Sequence, residues 1–201
     1  MNICILGGFL GSGKTTLLMQ LARYITENTP GEKDCKVAII ENEIGRVSID
    51  DRLLGSRGLE VRTLFSGCVC CTLAVSLIDA LKELRERMDP EWVIVETTGA
   101  AIPVSIRNNL EAWLGESAGI CVVADAQRWP RLMLAMEPLI RSQLDGADAV
   151  LVNKTDLAPE EQIAAMEADL AEICPDALRV RVSGAGEVDG GIWNRVMEAL
   201  K

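Results

Sequence analysis

The sequence predicts an α/β protein in three layers, in which a mostly parallel sheet of about seven strands carries helices on both faces. Three observations lead to this fold class: short apolar runs rich in Val and Ile, helical patterns between most of them, and no strict apolar–polar alternation within the runs. Strands that are covered on both faces need no polar side, which explains the missing alternation. The runs span residues 2–6, 36–40, 60–64, 92–96, 119–124, 149–153 and 179–183.

Three segments between these runs have the pattern of helices. The first, residues 14–26, directly follows a glycine-rich turn, and the third, residues 159–173, opens with a proline and two glutamates, which suit a helix start. In the second, residues 72–88, five apolar side chains recur at spacings of four and three and therefore share one helix face. These five are Leu73, Leu77, Leu81, Leu84 and Met88.

Length and composition favour a single globular domain over residues 1–201. The hydrophobic share is 49%, the charged share is 25%, and the net charge is −10. This negative charge argues against a nucleic acid or an anionic membrane as the main partner, although a local site can still bind phosphate. Histidine is absent, so the chain has neither a histidine base nor a histidine metal ligand.

The apolar runs are too short for a transmembrane helix, and the N-terminus lacks the basic segment of a signal peptide. We therefore expect this protein to be located in the cytoplasm. Thiols stay reduced in that compartment unless they take part in chemistry, and the odd number of cysteines, seven, agrees with reduced thiols.

The stretch GFLGSGKT, residues 8–15, fits the pattern G-x-x-x-x-G-K-[ST] and lies between a predicted strand and a predicted helix. Its glycines let backbone amides converge on a β-phosphate, Lys14 neutralises the β and γ oxygens, and the Thr15 hydroxyl binds Mg²⁺. The alternative, a glycine turn with an incidental lysine, does not explain this context. The sequence thus predicts a P-loop NTPase fold, with nucleotide contacts from Gly8, Gly11, Ser12, Gly13, Lys14, Thr15 and Thr16.

The stretch VIVETTG places an acid, Glu96, at the end of a hydrophobic strand. A Walker B residue, which holds Mg²⁺ or its water, occupies this position in P-loop proteins. Gly99 would leave room for the γ-phosphate. The alternative reading of Glu96 is an acidic cap at a strand end.

The stretch NKTD, residues 153–156, predicts the base. Asp156 can accept hydrogen bonds from guanine N1–H and N2–H₂, whereas adenine offers no such pair of donors. Asn153 can bond O6 or N7, the stem of Lys154 can cover the ring, and the backbone amide of Ser183 can reach O6. The sequence therefore predicts GTP as the ligand, and a simple polar turn is the alternative.

The segment ENEIGRVSIDD, residues 41–51, is rich in acids and follows the second strand. Asp50 could reach Mg²⁺ or the attacking water, and Glu41 and Glu43 could supply oxygen ligands to a metal. An ordinary solvated loop explains the same composition equally well.

The stretch GCVCC, residues 67–71, puts three cysteines between the third strand and the helix 72–88. Three thiolates can bind a soft or borderline metal such as Zn²⁺ or Cu⁺ and leave a fourth position open, which favours a transferable metal over a closed structural site. A Cys70–Cys71 redox pair, which would be strained, and core packing are the alternatives. The other cysteines are interpreted as strand, pre-strand or helix-end residues: Cys4, Cys35, Cys121 and Cys174.

In order, the motifs GGFLGSGKTTLL, ENEIGRVSIDDRLL, GCVCCTL, VIVETTG and NKTDL resemble the CobW family of P-loop metal-centre GTPases, relatives of the HypB and UreG nickel-insertion GTPases. The resemblance runs from Met1 to about Ser183. It implies three sets of site residues. Phosphate and Mg²⁺ would be bound by Lys14, Thr15, Asp50 and Glu96. Guanine would be recognised by Asn153, Lys154 and Asp156. The transition metal would be bound by Cys68, Cys70 and Cys71, with Glu43 as a further candidate ligand.

The resemblance also implies a function: slow GTP hydrolysis coupled to delivery of a metal, with Zn²⁺ expected and Co²⁺ or Ni²⁺ as alternatives, to a client metalloprotein. A homodimer that depends on nucleotide or metal is a further expectation. The alternatives are a maturation or reactivation factor for a nickel, cobalt-corrinoid or iron enzyme, an ATP-using kinase of small molecules, and a redox- or zinc-sensing regulator with vestigial hydrolysis.

Three features depart from the family pattern. Arg46 stands where the family often has an acid, and Ile102 replaces an acid in the segment that follows Glu96. The chain also has no histidine-rich stretch and stops at Lys201, so we expect the C-terminal domain of longer members to be absent. These departures concern the metal and the loop after Glu96 more than the binding of nucleotide.

Overall fold

A computed structural model of the chain describes residues 1–28, 35–41, 59–63 and 71–201. Within these residues there are seven strands and six α-helices, and a described α-helix follows every strand except β2. The strands are β1 (Asn2–Gly7), β2 (Val37–Glu41), β3 (Leu59–Thr63), β4 (Trp92–Glu96), β5 (Gly119–Asp125), β6 (Ala149–Asn153) and β7 (Leu178–Arg181). The helices are α1 (Lys14–Asn28), α2 (Cys71–Arg87), α3 (Pro103–Leu114), α4 (Trp129–Leu144), α5 (Glu160–Ile173) and α6 (Gly190–Ala199). The predicted strands and helices are all present, with ends that differ by at most two residues.

The strands form one sheet in the order β3-β2-β4-β1-β5-β6-β7, and all six neighbouring pairs are parallel. The first strand, β1, therefore lies between β4 and β5. The chain passes from β1 to β2 on one side of it, and the later connection from β4 to β5 leads to the other side. Ligands bind parallel sheets at the carboxyl ends of strands beside such a point.

The core has two layers, one on each face of the sheet. Ile3 and Ile5 of β1 belong to a cluster with buried residues of α2, α3, α4 and α5. Cys4 and Leu6, which point the other way, belong to a second cluster with α1 and α6. The sheet is thus covered on both faces, which confirms the predicted three-layer architecture.

The leucines of α2 behave as their spacing predicts: Leu77, Leu81 and Leu84 are buried in the core, and Met88, just beyond the helix, is partly buried against it. The side chain of Leu73 lies outside the described part of the chain. In α5, Pro159 is the N-cap, and two glutamates occupy the first turn, where their negative charges interact favourably with the positive end of the helix dipole.

The four cysteines outside GCVCC are buried at the predicted kinds of position. Cys4 is in β1, Cys35 lies two residues before β2, Cys121 is in β5, and Cys174 follows the last residue of α5. Burial, together with the negative charge of Asp148, raises the pKa of the Cys121 thiol to about 12. Burial also raises the pKa of the Cys4 and Cys174 thiols, so these three side chains act as packing residues.

Across the described ranges, no helix is both long enough and apolar enough to cross a membrane.

Candidate functional site

The predicted nucleotide residues meet at the carboxyl edge of the sheet. The loop after β1 lies beside Glu96, because Leu6 and Glu96 are partners in the β1–β4 register. A cavity of about 650 Å³ opens there. Its lining includes Lys14, Thr15, Thr16, Glu96 and Gly99.

The P-loop backbone depends on glycine at two positions in particular. Gly8 has a φ of 132° and Gly13 a φ of 101°, which residues with a side chain rarely adopt. A Cβ atom at Gly8 would overlap the carbonyl oxygen of Val123, and one at Gly13 would overlap the Asn153 amide. The loop therefore packs its backbone directly against β5 and the end of β6.

Lys14 is the first residue of α1 and is 8% exposed. Its Nζ donates to the carbonyl oxygens of Gly8 at 3.0 Å and Phe9 at 3.4 Å, so the ammonium group is held inside the loop. Charged phosphate oxygens bond an ammonium group more strongly than neutral carbonyls do, so this position suits a phosphate-binding cation.

Thr15 and Glu96 come together as the sequence predicts for a Mg²⁺ site. The Thr15 hydroxyl donates to Glu96 Oε1 over 2.8 Å, and Glu96 is 8% exposed at the end of β4. A hydroxyl and a carboxylate are the oxygen ligands that Mg²⁺ prefers, so the pair fits this ion.

Gly99 packs against the P-loop, since a Cβ atom there would lie 2.6 Å from the backbone nitrogen of Leu10. Its missing side chain thus makes room for the P-loop; room for a γ-phosphate stays a prediction. The loop after β4 is also held by Gln143 of α4, whose Nε2 donates to the carbonyls of Gly99 at 2.9 Å and Ala101 at 3.2 Å. Sequence reasoning missed Gln143, because a glutamine in an amphipathic helix gives no signal of its partners.

Asn153 ties two loops together. Its side chain is buried, its Nδ2 donates to the Ser12 carbonyl at 2.8 Å, and its Oδ1 accepts from the Gly184 amide at 2.9 Å. The structure thus gives Asn153 a positioning role between the P-loop and the loop after β7, and its predicted bond to the base stays a prediction. The buried Ser12 hydroxyl has no hydrogen-bond partner among the described residues.

The remaining NKTD side chains are also held by named partners. Lys154 has a φ of 63°, and its Nζ donates over 2.7 Å both to the Gly11 carbonyl and to Asp125 Oδ2. Asp156 is exposed, and its Oδ1 accepts from the Ser183 hydroxyl at 2.6 Å. The structure therefore brings the Ser183 hydroxyl to Asp156; base reading by Asp156 and the role of the Ser183 backbone amide stay predictions.

Asp125 and Arg128 are further site residues that sequence reasoning missed. Asp125 ends β5 with a fully buried carboxylate, which accepts from the Arg128 side chain at 2.7 Å and from its backbone amide at 3.1 Å, besides Lys154. Burial alone would raise the pKa of Asp125, but the hydrogen bonds from Lys154 and Arg128 hold it below its ordinary value. An acid at the end of an apolar strand, the feature that marked Glu96, was the available signal.

The residues predicted for the transition metal are described only in part. Glu41, 4% exposed, ends β2 and is the register partner of Glu96 on β4 and of Thr63 on β3. Cys71 is the first residue of α2. Among the side chains that the structure describes, no group of three or more metal-ligating residues occurs. Asp50, Glu43, Arg46, Cys68 and Cys70 lie outside the described residues.

Ile102, which replaces an acid of the family pattern, is the N-cap residue of α3 and is 38% exposed. Its side chain makes no capping hydrogen bond, whereas a carboxylate at this position could accept from the first free amides of the helix. The replacement thus removes an oxygen from the loop that follows Glu96.

Comparison with known proteins agrees with this arrangement. The family of CobW/HypB/UreG nucleotide-binding domains matches residues 2–181. The zinc chaperone YjiA of Escherichia coli is 35% identical over 173 residues, which cover 80% of this chain and 51% of YjiA. The zinc-regulated GTPase metalloprotein activator 1 of Schizosaccharomyces pombe is 31% identical over 185 residues, which cover 85% of this chain and 43% of that protein. The chain thus spans about half the length of the curated relatives it matches.

A solved structure has the same fold. The Zn(II)-bound YjiA GTPase from E. coli superposes with a TM-score of 0.68 at 27% sequence identity, covering 96% of this chain and 60% of that one.

Proposed function

The chain belongs to the CobW/HypB/UreG family of nucleotide-binding domains, and we propose that it is a GTP-hydrolysing metallochaperone that binds zinc and delivers it to a client protein. The observation that carries the GTPase part is the contact between Thr15 and Glu96 inside a P-loop cavity whose loop is bonded directly to the NKTD segment. The relatives' names, zinc chaperone and zinc-regulated GTPase metalloprotein activator, support the metal part.

In this proposal the phosphates of GTP occupy the P-loop cavity. The backbone amides of the loop and the N-terminus of α1 face the phosphate oxygens, and the Lys14 ammonium exchanges its carbonyl partners for them. Thr15 and Glu96 would hold Mg²⁺, with Asp50 as a further ligand, and the ion would neutralise charge on the β and γ oxygens.

Guanine is read by Asp156, whose carboxylate accepts from N1–H and N2–H₂. The Ser183 hydroxyl already bonds one of its oxygens and so fixes the direction of the other. Asn153 and Gly184 hold the two loops at a constant separation. Slow hydrolysis by the protein alone is what the family resemblance implies, and it is part of this proposal.

The metal is the cargo of the proposed activity, held by the thiolates of Cys68, Cys70 and Cys71 with Glu43 as a further ligand. Three thiolates leave one tetrahedral position for a ligand of the client, which allows transfer. Glu41 supports a link to the nucleotide, because it ends β2 directly beside Glu96 and precedes Glu43 by two residues. Each ligand could therefore change the affinity for the other.

Reduced cysteines are needed for such a site, which favours the cytoplasm as its location. A dimer that depends on nucleotide or metal, with the cavities facing each other, is part of the same proposal. Among the cysteines whose side chains the structure describes, Cys4, Cys35, Cys121 and Cys174, none forms a disulfide.

The decisive experiment titrates the reduced protein with Co²⁺, Ni²⁺ and Zn²⁺, with and without GTP and Mg²⁺. Sulfur-to-metal charge-transfer absorption with Co²⁺, together with a metal affinity that changes when GTP is added, is the expected result. Tight metal binding with an affinity that does not change when GTP is added would instead indicate a structural site. Absence of sulfur ligation would favour a redox role for GCVCC.

Phosphate release from GTP and ATP, measured on the same samples, tests the enzyme. We expect turnover of GTP only and none in Lys14→Ala. Equal turnover of ATP would contradict guanine recognition and favour the kinase alternative.

A further inference from the structure

A buried carboxylate connects the two nucleotide-binding loops. The side chain of Asp125, at the end of β5, is fully buried and accepts hydrogen bonds at 2.7 Å from both Arg128 and Lys154. Each of these cations also donates over 2.7 Å to a P-loop carbonyl, Arg128 to that of Leu10 and Lys154 to that of Gly11. Two consecutive P-loop carbonyls are thus bridged through two cations to one acid.

We infer that Asp125 and Arg128 are positioning residues, which hold the P-loop and the guanine-covering Lys154 in one arrangement before the nucleotide binds. This inference rests on the proposed GTP binding. It goes further because it makes nucleotide affinity and guanine preference depend on one ion-pair network. The central residue of this network, Asp125, contacts neither the phosphates nor the base in the proposed complex.

The geometry of Lys154 supports this assignment. Its φ of 63° is rare for a residue with a side chain, so other contacts must stabilise this backbone conformation. The ion pair with Asp125 and the bond to the Gly11 carbonyl both hold the Nζ atom, so the side-chain stem runs between the Lys154 backbone and this fixed ammonium end. The stem is thereby ordered in the free protein, and ordering a side chain beforehand lowers the entropic cost of binding.

An ion pair elsewhere in the same sheet shows what a purely structural pair looks like. Asp148, just before β6, accepts from Arg107 at 3.3 Å and from the Ile120 amide at 2.7 Å. Its side chain is 35% exposed, and it lies at the amino edge of the sheet, opposite the nucleotide cavity. Asp125 differs in being fully buried, in holding two cations, and in reaching the P-loop through both. The lowered pKa of Asp125 agrees with a carboxylate that stays charged in this position.

The test is a double-mutant cycle on the full chain, read by calorimetric titration with GDP. Asp125→Asn is expected to weaken GDP binding about tenfold, since charge-assisted hydrogen bonds are lost, and to lower the preference for GDP over ADP. If Asp125 acts through Lys154, the double variant Asp125→Asn/Lys154→Gln should lose much less GDP affinity than the product of the fold-losses in the two single variants. A full product, or unchanged GDP affinity in Asp125→Asn, would overturn the inference.

Arg128 gives a second test that does not disturb the core, because its side chain is 37% exposed. Arg128→Gln should weaken GDP binding several-fold, and Arg128→Lys, which keeps the cation, should recover most of the affinity. Equal affinities of wild type and Arg128→Gln would contradict the role of Arg128.

Asp148→Asn is the matched control, with the same chemical change at the other end of the sheet, and should leave GDP binding unchanged. A similar loss in this control would mean that removal of any paired acid weakens binding, which overturns the inference. Failure of wild type to bind GDP would contradict the proposed function as well, whereas normal binding by wild type and both site variants contradicts the inference alone.

Discussion

The Thr15 hydroxyl lies 2.8 Å from Glu96 Oε1, although 81 positions separate the two residues in the chain. The contact exists because β1 and β4 are adjacent and in register, with Leu6 opposite Glu96. The loop that follows β1 therefore reaches the acid at the end of β4, which is the arrangement that a shared Mg²⁺ ion needs.

The contact between Thr15 and Glu96 predicts that loss of the Glu96 carboxylate impairs the step that needs Mg²⁺ and leaves Mg²⁺-free nucleotide binding intact. Glu96→Gln should lower GTP turnover at saturating Mg²⁺ by about 100-fold, since the uncharged amide is a poorer Mg²⁺ ligand, while GDP affinity without Mg²⁺ changes little. Phosphate release and GDP titration are the two measurements. The control is Glu116→Gln, which only breaks an ion pair between the loop before β5 and Arg85 of α2. Turnover that persists in Glu96→Gln would exclude this glutamate as the Walker B residue.

The bond between Ser183 and Asp156 predicts two graded effects on base preference. Asp156→Asn should reduce the preference for GDP over ADP by about 10-fold to 100-fold, because the acceptor of two guanine donors is lost. Ser183→Ala should reduce it less, about two-fold to tenfold, since it only releases one carboxylate oxygen. Competition titrations measure both, with Ser142→Ala of α4 as a hydroxyl control. An unaltered preference in Asp156→Asn would remove NKTD from the base site.

The cysteines predict a separation of metal binding from nucleotide binding. Cys70→Ser should lower the affinity for Zn²⁺ by at least about 100-fold, since loss of a ligand should cost no less than loss of an outer-shell partner, and leave GDP binding intact. Chelator competition under reducing conditions measures the metal affinity. Cys174→Ser serves as the control, because that buried thiol bonds the Leu170 carbonyl at the end of α5. The proposed site is wrong if Cys70→Ser and Cys174→Ser bind Zn²⁺ equally well.

The lowered pKa of Asp125 predicts the direction of a pH effect on stability. The folded state keeps this carboxylate charged against Lys154 and Arg128, so its stabilisation is fully present above the unfolded pKa of about 3.9 and is lost as the pH falls through the lower folded value. Acid unfolding of Asp125→Asn should therefore depend less on pH below about pH 4 than that of wild type. Circular dichroism in urea at several pH values measures this.

Wild type and Asp125→Asn both contain the ion pairs of Arg181 with Glu160 and Glu167, so the pH dependence that these pairs contribute is the same in the two proteins. If the free energy of unfolding changed with pH by the same amount in wild type and in Asp125→Asn, Asp125 would not be held charged by its neighbours.

The sequence by itself determined the strands, the three-layer fold, the P-loop, the acid at the end of β4 and the NKTD segment, for which it predicts a role in reading the base. These features consist of contiguous residues whose spacing or chemistry is informative without knowledge of neighbours. The burial of Cys4 and Cys121 was predictable for the same reason, since both lie in apolar runs.

Only the tertiary structure decided how these segments are joined. The bonds from the Asn153 amide to the P-loop and to Gly184 were not predictable from the sequence, and Asp125 and Gln143 gave no usable signal of their partners. Each of these side chains is buried and polar, and a buried polar group takes whichever partner the neighbouring strand or loop presents. That choice depends on strand order and register, which bring together residues far apart in the chain.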